Sequence, residues 1–365
     1  MTPASAGRLA LITGGAGFIA TNVADRLLRD GWRVRLFDNL SRAGVQRNVE
    51  WLRDAHPGRD GSGAPDVEFV LGDIRDADAV RKAVAGVDRV FHFAAQVAVT
   101  TSLADPMLDF ETNARGTLNL LEAIRALPVW PTVLFTSTNK VYGDLKDVRL
   151  RTCGRRYEPE DTVIARCGVS ERRGLEFHSP YGCSKGAAEQ YVLDYARTFR
   201  LPAAVFRMSC IYGPHQFGTE DQGWVAHFVI QALKGLPLTL YGDGLQVRDV
   251  LYVDDLVDAM MRAHDSMHDI SGEAFNIGGS SANTTSLLEL TDLITELLGV
   301  RPAYSIEPWR TADQRYYVSD IAKFRAATGW APRVPVRDGV ERLAAWLVEF
   351  GAAAEPELAV GQVVS

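Results

Sequence analysis

The chain has 365 residues, 47% hydrophobic and 23% charged, the make-up of an ordinary globular protein long enough for two or three domains. A net charge of −7 excludes a basic nucleic-acid footprint. No apolar run reaches the ~18–20 residues that cross a bilayer and the start lacks a basic-then-apolar export segment, so a cytoplasmic protein with neither a membrane nor a nucleic-acid partner is expected.

Met1 to Gly7 read as a frayed tail. Arg8 to Thr13 is a short apolar run that predicts a strand buried on both faces. It leads into Gly14-Gly15-Ala16-Gly17-Phe18-Ile19-Ala20 and a helical pattern with Val23, Leu27 and Leu28 on one side. Gly15-x-Gly17-x-x-Ala20 fits the dinucleotide fingerprint: the glycines allow a tight turn and close approach of a pyrophosphate, and the helix N-terminus supplies N–H groups. A second strand, Arg33 to Phe37, ends at Asp38. A carboxylate about twenty residues past the glycines accepts hydrogen bonds from a ribose and repels a 2′-phosphate, which favours NAD over NADP. Arg42 keeps NADP open, and a plain turn residue is the other reading of Asp38.

Asn39 to Pro65 holds one helical stretch, Val45 to Ala55, and then a Gly/Pro-rich loop. Val67 to Leu71 predicts a third strand, followed by Gly72-Asp73-Ile74. Asp73 fits two roles, contact with an adenine amino group or N-cap of a helix from Ala77 to Val84. A fourth strand, Arg89 to Phe93, precedes Ala94-Ala95-Gln96, small residues against which a cofactor can lie. Asn113 to Ala126 has helical spacing through Leu118, Leu121 and Ile124, and Thr132 to Phe135 predicts a fifth strand ending in Thr136-Ser137-Thr138. Five alternations of strand and helix predict an α/β fold, a doubly wound parallel (Rossmann) sheet with ligands beyond the carboxyl ends of its strands.

Lys146 to Phe177 breaks this pattern with a long polar stretch holding seven arginines between Arg149 and Arg173. It reads equally as a solvated excursion or as a flap near the substrate. Cys153 and Cys167 with His178 nearby would suit a disulfide or a metal site, but with Cys183 and Cys210 they show no Cys-x-x-Cys spacing, so four thiols and no metal are expected. Next comes Ser179-Pro180-Tyr181-Gly182-Cys183-Ser184-Lys185. Tyr181 and Lys185, four apart, share a helix face, although chance also produces such pairs. An ammonium beside a phenol lowers a pKa that starts near ~10, and such a phenol can exchange a proton with a sugar hydroxyl near neutral pH. Ala188, Val192, Tyr195 and Phe199 form the helix's expected buried face, and Ala203 to Arg207 a sixth strand. Looser Gly/Pro-rich segments follow, which predicts a smaller C-terminal substrate-binding lobe. The expected divisions are 1–206 for the dinucleotide domain, 207–350 for the lobe, with 249–277 returning to the first domain, and 351–365 for a tail.

Together the motifs resemble the extended short-chain dehydrogenase/reductase family, specifically its nucleotide-sugar epimerases, over residues 8–348. They are Thr13-Gly14-Gly15-Ala16-Gly17-Phe18-Ile19, Asp38-Asn39-Leu40, Gly72-Asp73, Thr136-Ser137-Thr138, Tyr181-x-x-x-Lys185, Arg207, Tyr212-Gly213-Pro214, Gly242-Asp243-Gly244, Arg248-Asp249 and Asn276-Ile277-Gly278. A closer resemblance is to the 2-epimerase subgroup that interconverts CDP-paratose and CDP-tyvelose. Phe37-Asp38-Asn39-Leu40-Ser41-Arg42, Thr138-Asn139-Lys140-Val141-Tyr142-Gly143-Asp144, Phe177 to Gly186, Gln216-Phe217, Asp221-Gln222-Gly223-Trp224 and Asp313-Gln314-Arg315 carry it.

The resemblance implies a catalytic triad of Thr138, Tyr181 and Lys185 and a tightly held NAD. Its cofactor contacts would be Gly14, Gly17, Phe18, Ile19, Asp38, Asn39, Ser41, Arg42, Asp73, Ile74, Ala94, Ala95, Gln96 and Asn113, with Tyr181 and Lys185. The nucleotide sugar would meet Thr138, Asn139 and Gln216, with Arg248 and Arg310 on its diphosphate, a role that suits guanidinium geometry. Subunits would pair through helices starting near Asp105 and Ser184, as a homodimer or homotetramer. Departures around Gly213-Pro214-His215, at Met208 and in the polar excursion bear on which sugar is bound. A UDP-sugar 4-epimerase shares the triad. A 4,6-dehydratase has an Asp-Glu pair where Asn139 and Lys140 stand, so elimination is not expected. A cofactor-sensing binding protein typically lacks the Tyr or the Lys.

Overall fold

Seven short, mostly apolar segments form the central sheet of the computed structural model, which describes residues 8–58 and 66–350. The expected tails, 1–7 and 351–365, and the 59–65 part of the Gly/Pro-rich loop lie outside the described residues. Across the sheet the order is Ala274–Ile277, Ala203–Met208, Thr132–Thr138, Arg89–His92, Leu9–Thr13, Arg33–Asp38, Val67–Leu71, all parallel. The order reverses between Leu9–Thr13 and Arg89–His92, and a crevice opens beyond their carboxyl ends. Register pairs Thr13 with both Phe37 and His92, which brings the glycine loop, Asp38 and Ala94 to one rim.

Helices cover both faces because each carries one apolar stripe. On one side Phe18–Arg29, Gln46–Ala55 and Val253–Asp265 bury Val23, Leu27, Leu52, Leu256 and Met260. On the other Ala77–Ala83, Gly116–Arg125 and Ser179–Thr198 bury Val80, Leu120, Ile124, Ala188 and Val192. A fully buried aliphatic side chain contributes ~1.5–3 kcal/mol, so these two layers dominate cohesion. The second lobe packs helices Trp224–Lys234, Leu287–Leu298 and Val336–Glu349 around the strand Val247–Tyr252, which pairs with Cys210–Tyr212, Thr284–Ser286 and Tyr316–Tyr317.

Several expectations need correction. Asp76, not Asp73, caps the helix Ala77–Ala83, its carboxylate accepting from the Asp78 and Ala79 N–H groups. The helix expected from Asn113 is already helical from Pro106 and passes through a wide π turn, Glu111–Arg115. Phe199 is not in the core; it caps the end of its helix, exposed, edge-on to Tyr195.

The largest correction concerns Lys146 to Phe177, which contains a hairpin, Leu150–Cys153 with Arg156–Pro159, and a helix, Thr162–Cys167. Val169 N–H donates to the Val318 carbonyl at 2.7 Å, Tyr157 N–H to Leu245 at 2.9 Å, and the Val169 carbonyl accepts from Asn276 Nδ2 at 2.8 Å. Val148 and Val169 share a small core with Val141, Tyr142, Leu145 and Tyr317. These bonds make the segment a strut between sheet edge and second lobe, and its residues are not among those lining the central cavity.

Candidate active site

The crevice continues into a cavity of about 550 Å³ between the sheet and the second lobe, a volume in the range of small-ligand sites. At one end, Gly14 has φ +68°, and a Cβ there would stand 2.8 Å from the Ala94 nitrogen. A Cβ on Gly15 would stand 2.7 Å from Leu36 Cα, so neither position admits a side chain. The helix Phe18–Arg29 starts at Gly17 with no side-chain cap and no acidic residue in its first turn. Its first N–H groups are therefore left for an anion, and this bare N-terminus with its glycine cradle fits a dinucleotide pyrophosphate.

Gly14, Gly17, Phe18, Ile19, Asp38, Asn39, Ser41, Arg42, Ile74, Ala94 and Ala95 all line this end. Asp38 closes its strand and accepts from Ala16 N–H at 3.0 Å and Leu40 N–H at 2.7 Å, which aims the carboxylate at the rim. Burial pulls Arg42 below its usual pKa, with Asp38 opposing. Asp73, Gln96 and Asn113 are not among the lining residues. Asp73 is held by Arg75 at 2.9 and 2.7 Å and by Asn39 at 3.0 Å, contacts that keep its carboxyl far below the usual range. The Gln96 side chain turns back on Ala98. Asn113 is buried behind the wall, where Nδ2 donates to Gln96 O at 3.0 Å, Asp109 Oδ1 at 3.1 Å and Ser184 Oγ at 3.0 Å. It locks the Ala94–Gln96 segment to the helix that carries Tyr181 and Lys185.

At the centre Thr138, Tyr181 and Lys185 converge on the cavity, all three buried. Thr138 is the last residue of its strand, three residues beyond the expected end, and its hydroxyl accepts from Lys140 N–H at 3.2 Å. Tyr181 and Lys185 come from the first two turns of Ser179–Thr198. Their electrostatics differ from the expectation that Lys185 lowers Tyr181. Burial pushes the Tyr181 phenol up to about 12, reinforced by Asp109 and opposed by the Thr138 hydroxyl. Burial likewise pulls Lys185 down to about 7, against Asp109 and Glu189. Desolvation thus decides both groups, in opposite directions. Lys185 Nζ sits 4.2 Å from the Phe135 ring centroid, which partly offsets its lost hydration.

Two groups here were not read from the sequence. His92 is buried between Thr13 (2.7 Å) and Thr117 (2.9 Å), and burial, then Lys185, pulls it down to about 3, so it is neutral. Its position at the end of a sheet strand is the signal that could have found it. Asp109 is buried with Oδ2 unpartnered, and burial pushes it up, with Ser184 and Lys185 opposing. It falls in the apolar stretch Met107-Leu108-Asp109-Phe110, where nothing local marks it.

At the far end Asn139, Gln216, Arg248 and Arg310 line the cavity as expected. Gln216 Nε2 donates to Ile211 O at 3.2 Å, leaving its buried oxygen unpartnered. Both arginines hold carboxylates. Arg248 Nη2 donates to Asp313 at 2.8 Å, and Arg310 lies 3.5 Å from Glu220 and 3.4 Å from Asp221, its guanidinium 3.7 Å from the Tyr241 ring centroid. Lys140, Asp313, Glu220 and Asp221 also line this end. Beneath it Arg207 is buried against Glu189 and donates to Tyr142 at 2.9 Å, tying the Tyr181 helix to the sheet.

Cys153, Cys167, Cys183 and Cys210 are unpaired, and among the described residues no group of three or more His, Cys, Asp or Glu could hold a metal. His178 instead lies 3.1 Å from Glu176 and 3.5 Å from Asp144. No helix of the described residues is long and apolar enough to cross a membrane.

Residues 10–278 match the NAD dependent epimerase/dehydratase family. The chain is 44% identical to CDP-paratose 2-epimerase of Salmonella typhi over 343 residues, 92% of this chain and 98% of that one. It is 32% identical to UDP-glucose 4-epimerase of Mycolicibacterium smegmatis over 91% of this chain and 96% of the other. Among solved structures, UDP-glucuronic acid 4-epimerase from Bacillus cereus, in complex with UDP-glucuronic acid and NAD, superposes with a TM-score of 0.78 at 26% identity, covering 94% of this chain and 99% of that one.

Proposed function

From its membership of the NAD dependent epimerase/dehydratase family, to which the chain belongs, we propose that this protein is a nucleotide-sugar epimerase inverting C2 of a CDP-linked deoxyhexose, of the paratose–tyvelose type. The observation that carries an epimerase over a dehydratase is the cavity wall beside the triad: Asn139 and Lys140 follow Thr138 where elimination would need a general acid and base. The 44% identity over nearly the whole 2-epimerase supports C2 of a CDP-sugar. The 4-epimerase relatives support a second reading, C4 of a UDP-sugar.

NAD, when bound, supplies a reversible hydride acceptor and the positive charge of its nicotinamide ring. The glycine cradle and the first turn of Phe18–Arg29 would hold its pyrophosphate and Asp38 its adenosine ribose. Tyr181 takes the proton from the reacting sugar hydroxyl and later returns it. Thr138 would hydrogen-bond the same oxygen, and Lys185 would hold the nicotinamide ribose. Burial holds the Tyr181 phenol up at about 12, and a positive charge beside it would lower it toward the working range. The keto sugar presents its opposite face before reduction, so no net oxidation occurs and the cofactor stays resident. Subunit pairing through the helices at Pro106 and Ser179 is supported by exposed Met107, Phe110 and Tyr191, and sedimentation would measure it.

Turnover of a CDP-, UDP-, GDP- and dTDP-sugar panel in heavy water is the test. The expected result is inversion at C2 of the CDP-sugar with no deuterium at the inverted carbon. Inversion at C4 would replace the substrate assignment, and deuterium at the inverted carbon would exclude direct hydride return.

A further inference from the structure

Lys140 lies two residues past Thr138 on the turn Asn139–Tyr142 and lines the cavity, and its N–H holds the Thr138 hydroxyl. Its Nζ donates to Ala312 O at 3.1 Å and stands 3.6 Å from Asp313 Oδ1. The same oxygen accepts from Arg248 Nη2 at 2.8 Å, so one carboxylate faces both an ammonium and a guanidinium, and burial pulls Lys140 below its usual pKa with Asp313 opposing. Cys210, also near Lys140, is pushed up by burial and adds no charge. At Arg310 the balance is reversed, because Glu220 and Asp221 face one guanidinium. The turn that holds the Thr138 hydroxyl through its backbone thus also sends an ammonium into this wall of the cavity.

Pyranose geometry gives that position a meaning. When C4 reacts, the anomeric carbon and its phosphate lie across the ring from the reacting oxygen. When C2 reacts, the anomeric carbon is its direct neighbour, and the sugar-linked phosphate must lie against the turn that carries Thr138. A phosphate brought there out of water is costly without a counter-charge. We infer that Lys140, with Arg248, binds the phosphate attached directly to the sugar and so sets which carbon faces Tyr181. This rests on the 2-epimerase reading above. An ammonium serves such a site as a point charge, while Arg248 supplies the planar fork.

The test compares inhibition by CDP, which carries that phosphate, with inhibition by CMP, which lacks it, in NAD-loaded wild type, Lys140→Gln and Lys140→Arg. The expected result is a Ki for CDP about 10- to 100-fold higher in Lys140→Gln, from loss of one charged hydrogen bond, with the Ki for CMP unchanged and Lys140→Arg recovering most of the difference. KM for the sugar nucleotide should rise with the Ki for CDP. Equal shifts for CDP and CMP, or no shift, overturn the assignment, and the ratio on one variant is insensitive to partial unfolding. Wild-type product analysis tests the 2-epimerase reading separately: inversion at C4 of a UDP-sugar would sink that reading whatever the Lys140 variants do.

Discussion

At the proposed cofactor end of the cavity the groups left open to a ligand are backbone N–H groups after Gly17 and the space left by Gly14 and Gly15. At the proposed substrate end Lys140, Arg248 and Arg310 line the cavity, each held by a carboxylate or carbonyl from another segment. The first end is placed by sheet register. The second is a set of exchangeable ion pairs, where a diphosphate can take over arginines that Asp313, Glu220 and Asp221 occupy. A fixed cofactor site beside an adaptable substrate site is what one scaffold needs to serve many sugars with one cofactor.

The contrast can be broken in four places. The largest effect is expected where the two ends meet: Tyr181→Phe should lower kcat by about 10²–10⁴-fold with bound NAD, measured on denaturation, unchanged. An active variant would remove Tyr181 from the mechanism. Next, Gly14→Ala forces a left-handed φ and a backbone clash together. That should destabilise the loop by roughly 1–3 kcal/mol and yield protein depleted in NAD, whereas Arg310→Gln should keep its NAD; equal NAD content in both would erase the distinction between the ends.

The third concerns pH. Burial pulls Lys185 from 10.5 down to about 7, so the folded protein binds fewer protons than the unfolded chain between those values. Stability then rises with pH across that window: the cost of the buried ammonium is fully in force below about 7 and gone above about 10.5. Cofactor-free wild type should gain on Lys185→Met by on the order of 1 kcal/mol or more between pH 7 and 10 in urea titrations. A difference that stays flat would show that Lys185 is hydrated. The smallest effect is expected for Glu220→Gln with Asp221→Asn. Freeing Arg310 from half-exposed partners should tighten nucleotide-sugar binding by only about 2- to 5-fold, less at high salt. No change at low salt would mean that the diphosphate does not use Arg310.

What could be read from the sequence alone was local. The strand–glycine–helix run, Asp38 at a strand end and the four-residue step from Tyr181 to Lys185 are set within one turn or one strand, so periodicity and residue type determine them. Tertiary structure decided the rest. Asn113 was a cofactor contact implied by the family resemblance, but only the bonds to Ser184 and Gln96 place it behind the wall. The polar excursion is a strut because the Val318 and Leu245 carbonyls, far along the chain, accept from it and Asn276 donates to it. Arg248 meets Asp313 across 65 positions and Lys140 meets Ala312 across 172. The same holds for the charge states: spacing predicted a phenol lowered by its lysine, but burial by remote segments raised Tyr181 and lowered Lys185. Desolvation and ion pairing depend on what distant chain brings close, and no window of sequence contains that distance.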